Sequence, residues 1–272
     1  MSIDLDGYCS RIGYGGGRDA TYDVLKALCL RHLNGIPFEG LGPLLGEPVP
    51  LDLESLQNKL VKSARGGYCF EQNGLFLNAL RAFGFRVTPL AARVRLMLEA
   101  DAPPSPLSHM ALAVHLDEGE FLCDVGFGGQ SPTAPLRLQT ENGQETLHGT
   151  YRLIASGTGY ELQLQAPGGW GALYRFNLDE QSPRDYEVFN WYTATNPASH
   201  FVNNLMVARV AGACRFTLLN REFGVRQPDG AVERRRLESV DELGYSLAQD
   251  FGIEIERRKL DRVWERLSAS AG

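Results

Sequence analysis

Arg65-Gly66-Gly67-Tyr68-Cys69-Phe70-Glu71 sets two glycines directly before an aromatic residue and a cysteine. The apolar positions that follow, Phe70, Phe76, Leu77, Leu80 and Phe83, form one helical face, and Gly84 suits the C′ position after it. The spacing therefore predicts a helix that starts at Cys69. At such a start the unpaired N–H groups and the macrodipole favour a thiolate over a thiol. The same N–H groups are suited to receive the oxyanion of a tetrahedral intermediate. Gly66 and Gly67 are expected to let a substrate approach the backbone closely. Most cysteines are small core hydrophobes, and Cys9, Cys29, Cys123 and Cys214 are read that way because nothing around them resembles this helix start.

Upstream of this stretch the pattern is helical. Tyr22, Leu25, Cys29 and Leu33 recur at helical spacing until Asn34-Gly35. The Gly/Pro-rich run from Ile36 to Pro50 reads as loop. Asp52 then caps a short helix that puts Leu53, Leu56 and Leu60 on one face. Downstream, Phe85 to Val94 is β-branched, with Pro89 marking an edge or a bulge. His109–Leu116 and Glu120–Val125 form a hairpin, and further strands are expected over 150–154, 160–165, 171–176, 205–209 and 215–220. Ser239 and Glu242 have the spacing of a capping box, followed by helices to about Asp250 and from Glu256 to Leu267. Such a string of short strands between helical ends indicates an α+β protein whose middle is a barrel or sandwich.

Composition narrows the function classes. The 272 residues are 43% hydrophobic and 22% charged, a globular balance that excludes disorder and fibrous repeats. Twenty-seven Lys and Arg against 33 Asp and Glu give a net charge of −6, which argues against a broad grip on nucleic acid. The five cysteines are scattered without CxxC or Cys/His clusters, so no metal site is expected. The acidic opening and the lack of a long apolar run point to a cytoplasmic protein with no membrane contact. Gly13-Tyr14-Gly15-Gly16-Gly17 follows no strong strand and reads as loop, and Gly126-Phe127-Gly128-Gly129 lacks the lysine of a Walker loop. The basic runs Arg234-Arg235-Arg236 and Arg257-Arg258-Lys259 have acidic neighbours and read as solvated faces.

A cysteine nucleophile needs a base and an orienter for that base. His32 lies late in a helix, and His148 and His200 fall in loop-like contexts. His109 and His115 share one face of the first hairpin strand, and Asp124 stands among apolar residues near the end of the second, where a carboxylate is costly unless paired. Direct opposition of His109 and Asp124 requires a loop centred on Leu116-Asp117. Turn chemistry favours Glu118-Gly119 instead, which leaves the pair four residues out of step. Both histidines stay open as the base on these grounds.

Three motifs, Arg65–Glu71, Ser108-His109-Met110 and Asp124-Val125-Gly126-Phe127-Gly128-Gly129, together resemble the arylamine N-acetyltransferases. Tyr8 with Arg11-Ile12-Gly13-Tyr14, His32 with Ile36-Pro37-Phe38-Glu39, and Asn196-Pro197-Ala198-Ser199-His200-Phe201 extend the likeness in the same order. One departure is Gly40, where the family usually carries asparagine. The resemblance implies an N-terminal helical bundle (1–84), a central antiparallel β-barrel-like domain (85–195) and a C-terminal α/β lid (196–272), on a core akin to papain-like and transglutaminase-like enzymes. It implies a Cys69–His109–Asp124 triad, and so selects His109 over His115. Acetyl-CoA is then the co-substrate, without a metal, and an arylamine or arylhydrazine is the acceptor. Phe38, Phe127 and Phe201 are placed around the acceptor. Gly128 and Gly129 are expected to approach the donor through backbone N–H groups, and Arg65 with Glu39 to support the nucleophile's loop. A cysteine hydrolase or transglutaminase-like enzyme with the same triad, and a non-catalytic module on this fold, are the alternatives.

Overall fold

The computed structural model describes residues 2–99 and 101–269. Its first part is helical: α1 (Leu5–Ile12), α2 (Tyr22–Gly35), β1 (Phe38–Glu39), α3 (Leu41–Leu45), α4 (Leu53–Leu56) running into a π-helical turn at Gln57–Lys62, and α5 (Cys69–Ala82). Of the three N-caps here, Asp52 is the one expected from the sequence. Asp4, Thr21 and Asp52 each accept a backbone N–H of the first turn of α1, α2 and α4. Gly84, just past α5, has the left-handed φ of 90° that its C′ role requires. The run from Ile36 to Pro50, expected to be loop, instead holds β1 and α3. β1 exists because a distant strand pairs with it, and α3 because Leu41, Leu44 and Leu45 enter the C-terminal core. Tertiary contacts override the local Gly/Pro signal there.

Then come β2 (Arg86–Val94), β3 (Leu107–Leu116), β4 (Gly119–Cys123), a 3₁₀ turn at Gly128–Gln130, β5 (Leu136–Arg137), β6 (Gln144–Thr146), β7 (Gly149–Ser156), β8 (Gly159–Ala166) and β9 (Gly169–Phe176). They form one antiparallel sheet in the order β5-β4-β3-β2-β9-β8-β7-β6. Pro89 sits where β2 pairs with β3 alone, since β9 joins only from Ala92 onward. The bulge lies just after Ala92, opposite Ser108. β3 is buried on both faces. Met110, Leu112 and Val114 pack with the helices, whereas Ala111 and Ala113 face the interior of the sheet with Leu90, Leu122 and Tyr174.

The last part is α6 (Pro183–Thr195), α7 (His200–Asn203), β10 (Met206–Ala211), β11 (Cys214–Leu219), β12 (Glu222–Arg226), β13 (Val232–Arg236), α8 (Val240–Gln249) and α9 (Arg257–Ala269). A second antiparallel sheet runs β1-β10-β11-β12-β13, and α8 and α9 share its core through Leu247, Phe251, Leu260 and Val263. Ser239 caps α8 as expected, but the Glu242 carboxylate accepts from Glu238 N–H, so the reciprocal half of the box is displaced by one residue. Arg235 and Arg236 lie on the exposed β13, paired with Asp250, Glu222 and Glu238, and Arg257 pairs with Asp241 and Asp261. α6 was unanticipated although Ser182, Pro183 and Asp185 spell its start: Ser182 Oγ and the Asp185 carboxylate exchange hydrogen bonds with each other's N–H.

Candidate active site

Cys69 is the first residue of α5, and the helix start is braced on all sides. Gly66 and Gly67 are closely packed by the chain itself. A Cβ on Gly66 would stand 2.2 Å from the Pro37 carbonyl oxygen, and one on Gly67 would stand 2.8 Å from Glu71 Cβ. The glycines let this loop pack against its own protein. Gln72 holds the loop from within, donating to Pro37 O at 2.7 Å and Gly67 O at 3.2 Å. Its Oε1 lies 2.7 Å from His32 Nε2, and His32 Nδ1 lies 2.9 Å from the Tyr8 hydroxyl. Burial pushes His32 down to about 4, so it is a neutral link in this chain.

The expected pair of Arg65 and Glu39 is present, at 2.6 Å. It belongs to a larger cluster. Lys59, in the π-helical turn, reaches Glu71 at 2.7 Å and Glu39 at 3.9 Å, while Glu71 accepts from Tyr68 N–H and Glu39 from Leu41 N–H. Burial alone would push the Lys59 ammonium down, and the two carboxylates more than offset it. Two cations and two carboxylates thus balance beneath the Cys69 loop.

His109 Nε2 lies 2.7 Å from Asp124 Oδ2, and both residues are 2% exposed. The other carboxylate oxygen accepts from Asn73 Nδ2 at 2.9 Å and Gly126 N–H at 2.8 Å. Burial would push the imidazole down, but the charge and hydrogen bond of Asp124, with Cys69 as a further partner, raise it to about 10. Burial likewise works against the Asp124 carboxylate, and His109, Asn73 and Gly126 hold it below the usual range. Cys69 Sγ donates to the Ser108 carbonyl oxygen at 3.6 Å, next to His109, and with Nε2 bound to Asp124 the ring nitrogen left over is Nδ1. The hairpin register is neither of the two weighed from sequence: Leu116 pairs with Gly119 across Asp117-Glu118, and Asp124 lies just past the end of β4. Free of the ladder, Asp124 reaches His109 without direct opposition. A Cβ on Gly126 would come within 2.8 Å of Cys69 Cα, so this turn runs against the nucleophile's backbone.

Phe127 and Tyr174 flank His109, with ring centroids 5.0 and 4.9 Å from the imidazole. Phe38 and Phe201 are 6.0 Å apart, and Phe38 lies against Gly128, which has a left-handed φ of 64°. All three expected phenylalanines are half-buried, Phe38 and Phe201 against each other and Phe127 against His109. Gly40 makes room here, since a Cβ on it would stand 3.0 Å from the Phe201 ring. Gly129 packs against Thr217, and a Cβ on it would be 2.7 Å from that methyl group. Sequence reasoning missed Lys59, Gln72, Asn73 and Tyr174. The signal for Gln72 and Asn73 was there: two amides one turn after Cys69, inside an otherwise apolar helix, are costly unless they bind something.

An N-acetyltransferase family model matches residues 21–260. An arylamine N-acetyltransferase of Mycobacterium tuberculosis is 42% identical over 280 residues, covering 100% of this chain and 99% of that one. The chain belongs to the arylamine N-acetyltransferase family. The Escherichia coli arylamine N-acetyltransferase is 41% identical over 260 residues, 95% of this chain and 92% of its own length. Among solved structures, the arylamine N-acetyltransferase of Mycobacterium marinum in complex with CoA superposes with a TM-score of 0.93 at 41% identity, covering 97% of this chain and 99% of that one. The family's α+β fold, with its barrel-like sheet and second sheet, is the one found here. Among the described residues no helix is long and apolar enough to cross a membrane.

Proposed function

We propose that this enzyme moves an acetyl group from acetyl-CoA to the nitrogen of an arylamine or arylhydrazine by a ping-pong mechanism through Cys69. The observation that carries the reading is the buried Asp124–His109 pair beside the start of α5, where the Cys69 sulfur lies 3.6 Å from the carbonyl oxygen of Ser108, the residue before His109. Asp124 fixes the imidazole with Nε2 towards itself and stabilises the imidazolium. His109, as imidazolium, already holds the proton and keeps Cys69 as a thiolate, which attacks the thioester carbonyl while the α5 N–H groups face the developing oxyanion. CoA leaves with the proton, and the acetyl group stays on Cys69 as a thioester. The acceptor amine then attacks, and His109 receives its proton. Phe38, Phe127 and Phe201 supply apolar walls that suit a planar acceptor and disfavour water. Gly128 and Gly129 offer backbone to the donor, and Arg65 with Glu39 holds the nucleophile's loop. Three units, 1–84, 85–195 and 196–272, divide these tasks, in a cytoplasmic protein.

Intact mass after incubation with acetyl-CoA tests the scheme. One acetyl adduct on Cys69, discharged by an arylamine, is expected, and Cys69→Ser abolishes both adduct and turnover. Free acetate released without an amine would make the protein a hydrolase. An unreactive thiol that takes up no acetyl would leave it a non-catalytic module.

A further inference from the structure

Arg215 stands on β11, is 4% exposed, and among the described residues has no carboxylate in ion-pairing range. Its guanidinium is spent on the protein backbone. Nη1 donates to Gly129 O at 3.1 Å; Nη2 donates to Ser131 O at 2.7 Å, to His148 O at 3.3 Å and to the Tyr151 hydroxyl oxygen at 3.1 Å. The Tyr151 hydroxyl in turn donates towards Gln130 O at 3.1 Å and Ser131 O at 3.2 Å. One buried cation and one phenol thus gather the carbonyl oxygens of Gly129, Gln130 and Ser131 from behind. A buried cation without a carboxylate is costly, and a neutral side chain would have spared the fold that cost. What a guanidinium adds is a planar fork with fixed donor directions, which orients several carbonyls at once.

The held turn leads straight to the reacting groups. Ser131 Oγ accepts from Phe127 N–H at 2.8 Å, Phe127 lies against His109, and Gly126 lies against Cys69. In a peptide plane the C=O and N–H point opposite ways, so the Gly129 carbonyl drawn back to Arg215 turns Gln130 N–H forward, while the Ser131 carbonyl, which precedes Pro132 and has no partner N–H, anchors the end of the turn. We infer that Arg215 is a positioning residue for the donor half-reaction: by drawing the carbonyls of Gly129 and Ser131 onto β11, it sets the backbone that meets acetyl-CoA. This rests on the reading above that Gly128 and Gly129 face the donor. Arg215 itself touches neither the sulfur nor the imidazole through any of these bonds, so its effect falls on donor binding and leaves thiol chemistry alone.

The test compares Arg215→Met, Arg215→Lys and wild type in KM for acetyl-CoA, in kcat, and in the rate of Cys69 alkylation by iodoacetamide. Arg215→Met is expected to raise KM for acetyl-CoA about ten-fold while alkylation stays within about two-fold of wild type, since all four guanidinium hydrogen bonds that hold the turn from behind are lost. Arg215→Lys restores part of the loss, as a point charge reaches some of the carbonyls but lacks the fork. Tyr151→Phe, which removes only the phenol, moves KM in the same direction by a smaller factor and serves if Arg215→Met does not fold. An unchanged KM in the folded variants overturns the inference. So does a parallel fall in alkylation and donor affinity, which marks a merely structural role. If wild type itself takes up no acetyl group from acetyl-CoA, the proposed function fails instead, and the two failures are told apart by that control.

Discussion

His109 and His115 stand on the same strand, with the same parity, each beside a carboxylate at nearly the same distance: 2.7 Å to Asp124 and 2.8 Å to Glu120. Distance does not separate them. Surroundings do. The side chains of the first pair are 2% and 0% exposed, those of the second 19% and 36%. His109 gives Nε2 to Asp124 and leaves Nδ1 open, whereas His115 spends Nδ1 on Glu120 and Nε2 on the Thr88 hydroxyl at 2.8 Å. A base needs a ring nitrogen that still has chemistry to do. His115 has none, and its carboxylate is screened by water.

The comparison is sharpened first by the carboxylates. Asp124→Asn is expected to lower kcat on the order of 10⁴-fold, because an amide neither stabilises the imidazolium nor enforces the tautomer. Acetyl-transfer kinetics at saturating acceptor measure it, and a loss below ten-fold would deny Asp124 its orienting role. Next is stability. His109→Gln leaves a buried carboxylate without its cation, at a cost of about 3–5 kcal/mol near neutral pH. The sign with pH is fixed by the shift. Folding raises His109 from its ordinary 6.5 to about 10, so the wild-type advantage is full below 6.5 and is lost as pH rises through about 10. Asp124 is held low, so its share is present above the ordinary 3.8 and is lost as pH falls through its depressed value. Urea melts of wild type and His109→Gln at several pH values should converge towards alkaline pH. The smallest effect belongs to the other histidine: His115→Ala should change stability by no more than about 0.5 kcal/mol and leave kcat within about two-fold. A large loss of activity there would make it the base after all.

Cys69 as the start of α5 and His109 and Asp124 on the hairpin were legible because helix periodicity, capping chemistry and strand parity are local properties. The choice between His109 and His115 was not, since it turns on burial and on a register set by a two-residue turn; only likeness to a family made it. β1 and α3 escaped because pairing with β10 and burial of Leu41 and Leu44 involve residues far along the chain. Arg215 was invisible for a related reason. An arginine in an alternating strand looks solvated until the carbonyls that receive it are in place. The packing of Gly66 against Pro37 was not legible because the close approach that glycine permits does not say what approaches.

β3 belongs to two cores at once, giving its even residues to the helices and its odd residues to the sheet. The seam between Cys69 and His109 therefore lies where the two cores meet, Cys69 in the first and the Tyr174 and Phe127 rings beside His109 in the second. Such a seam makes catalysis and folding one cooperative event. On slow heating, acetyl transfer should persist undiminished by any loosening of the triad until the whole seam melts, and then vanish with the ellipticity.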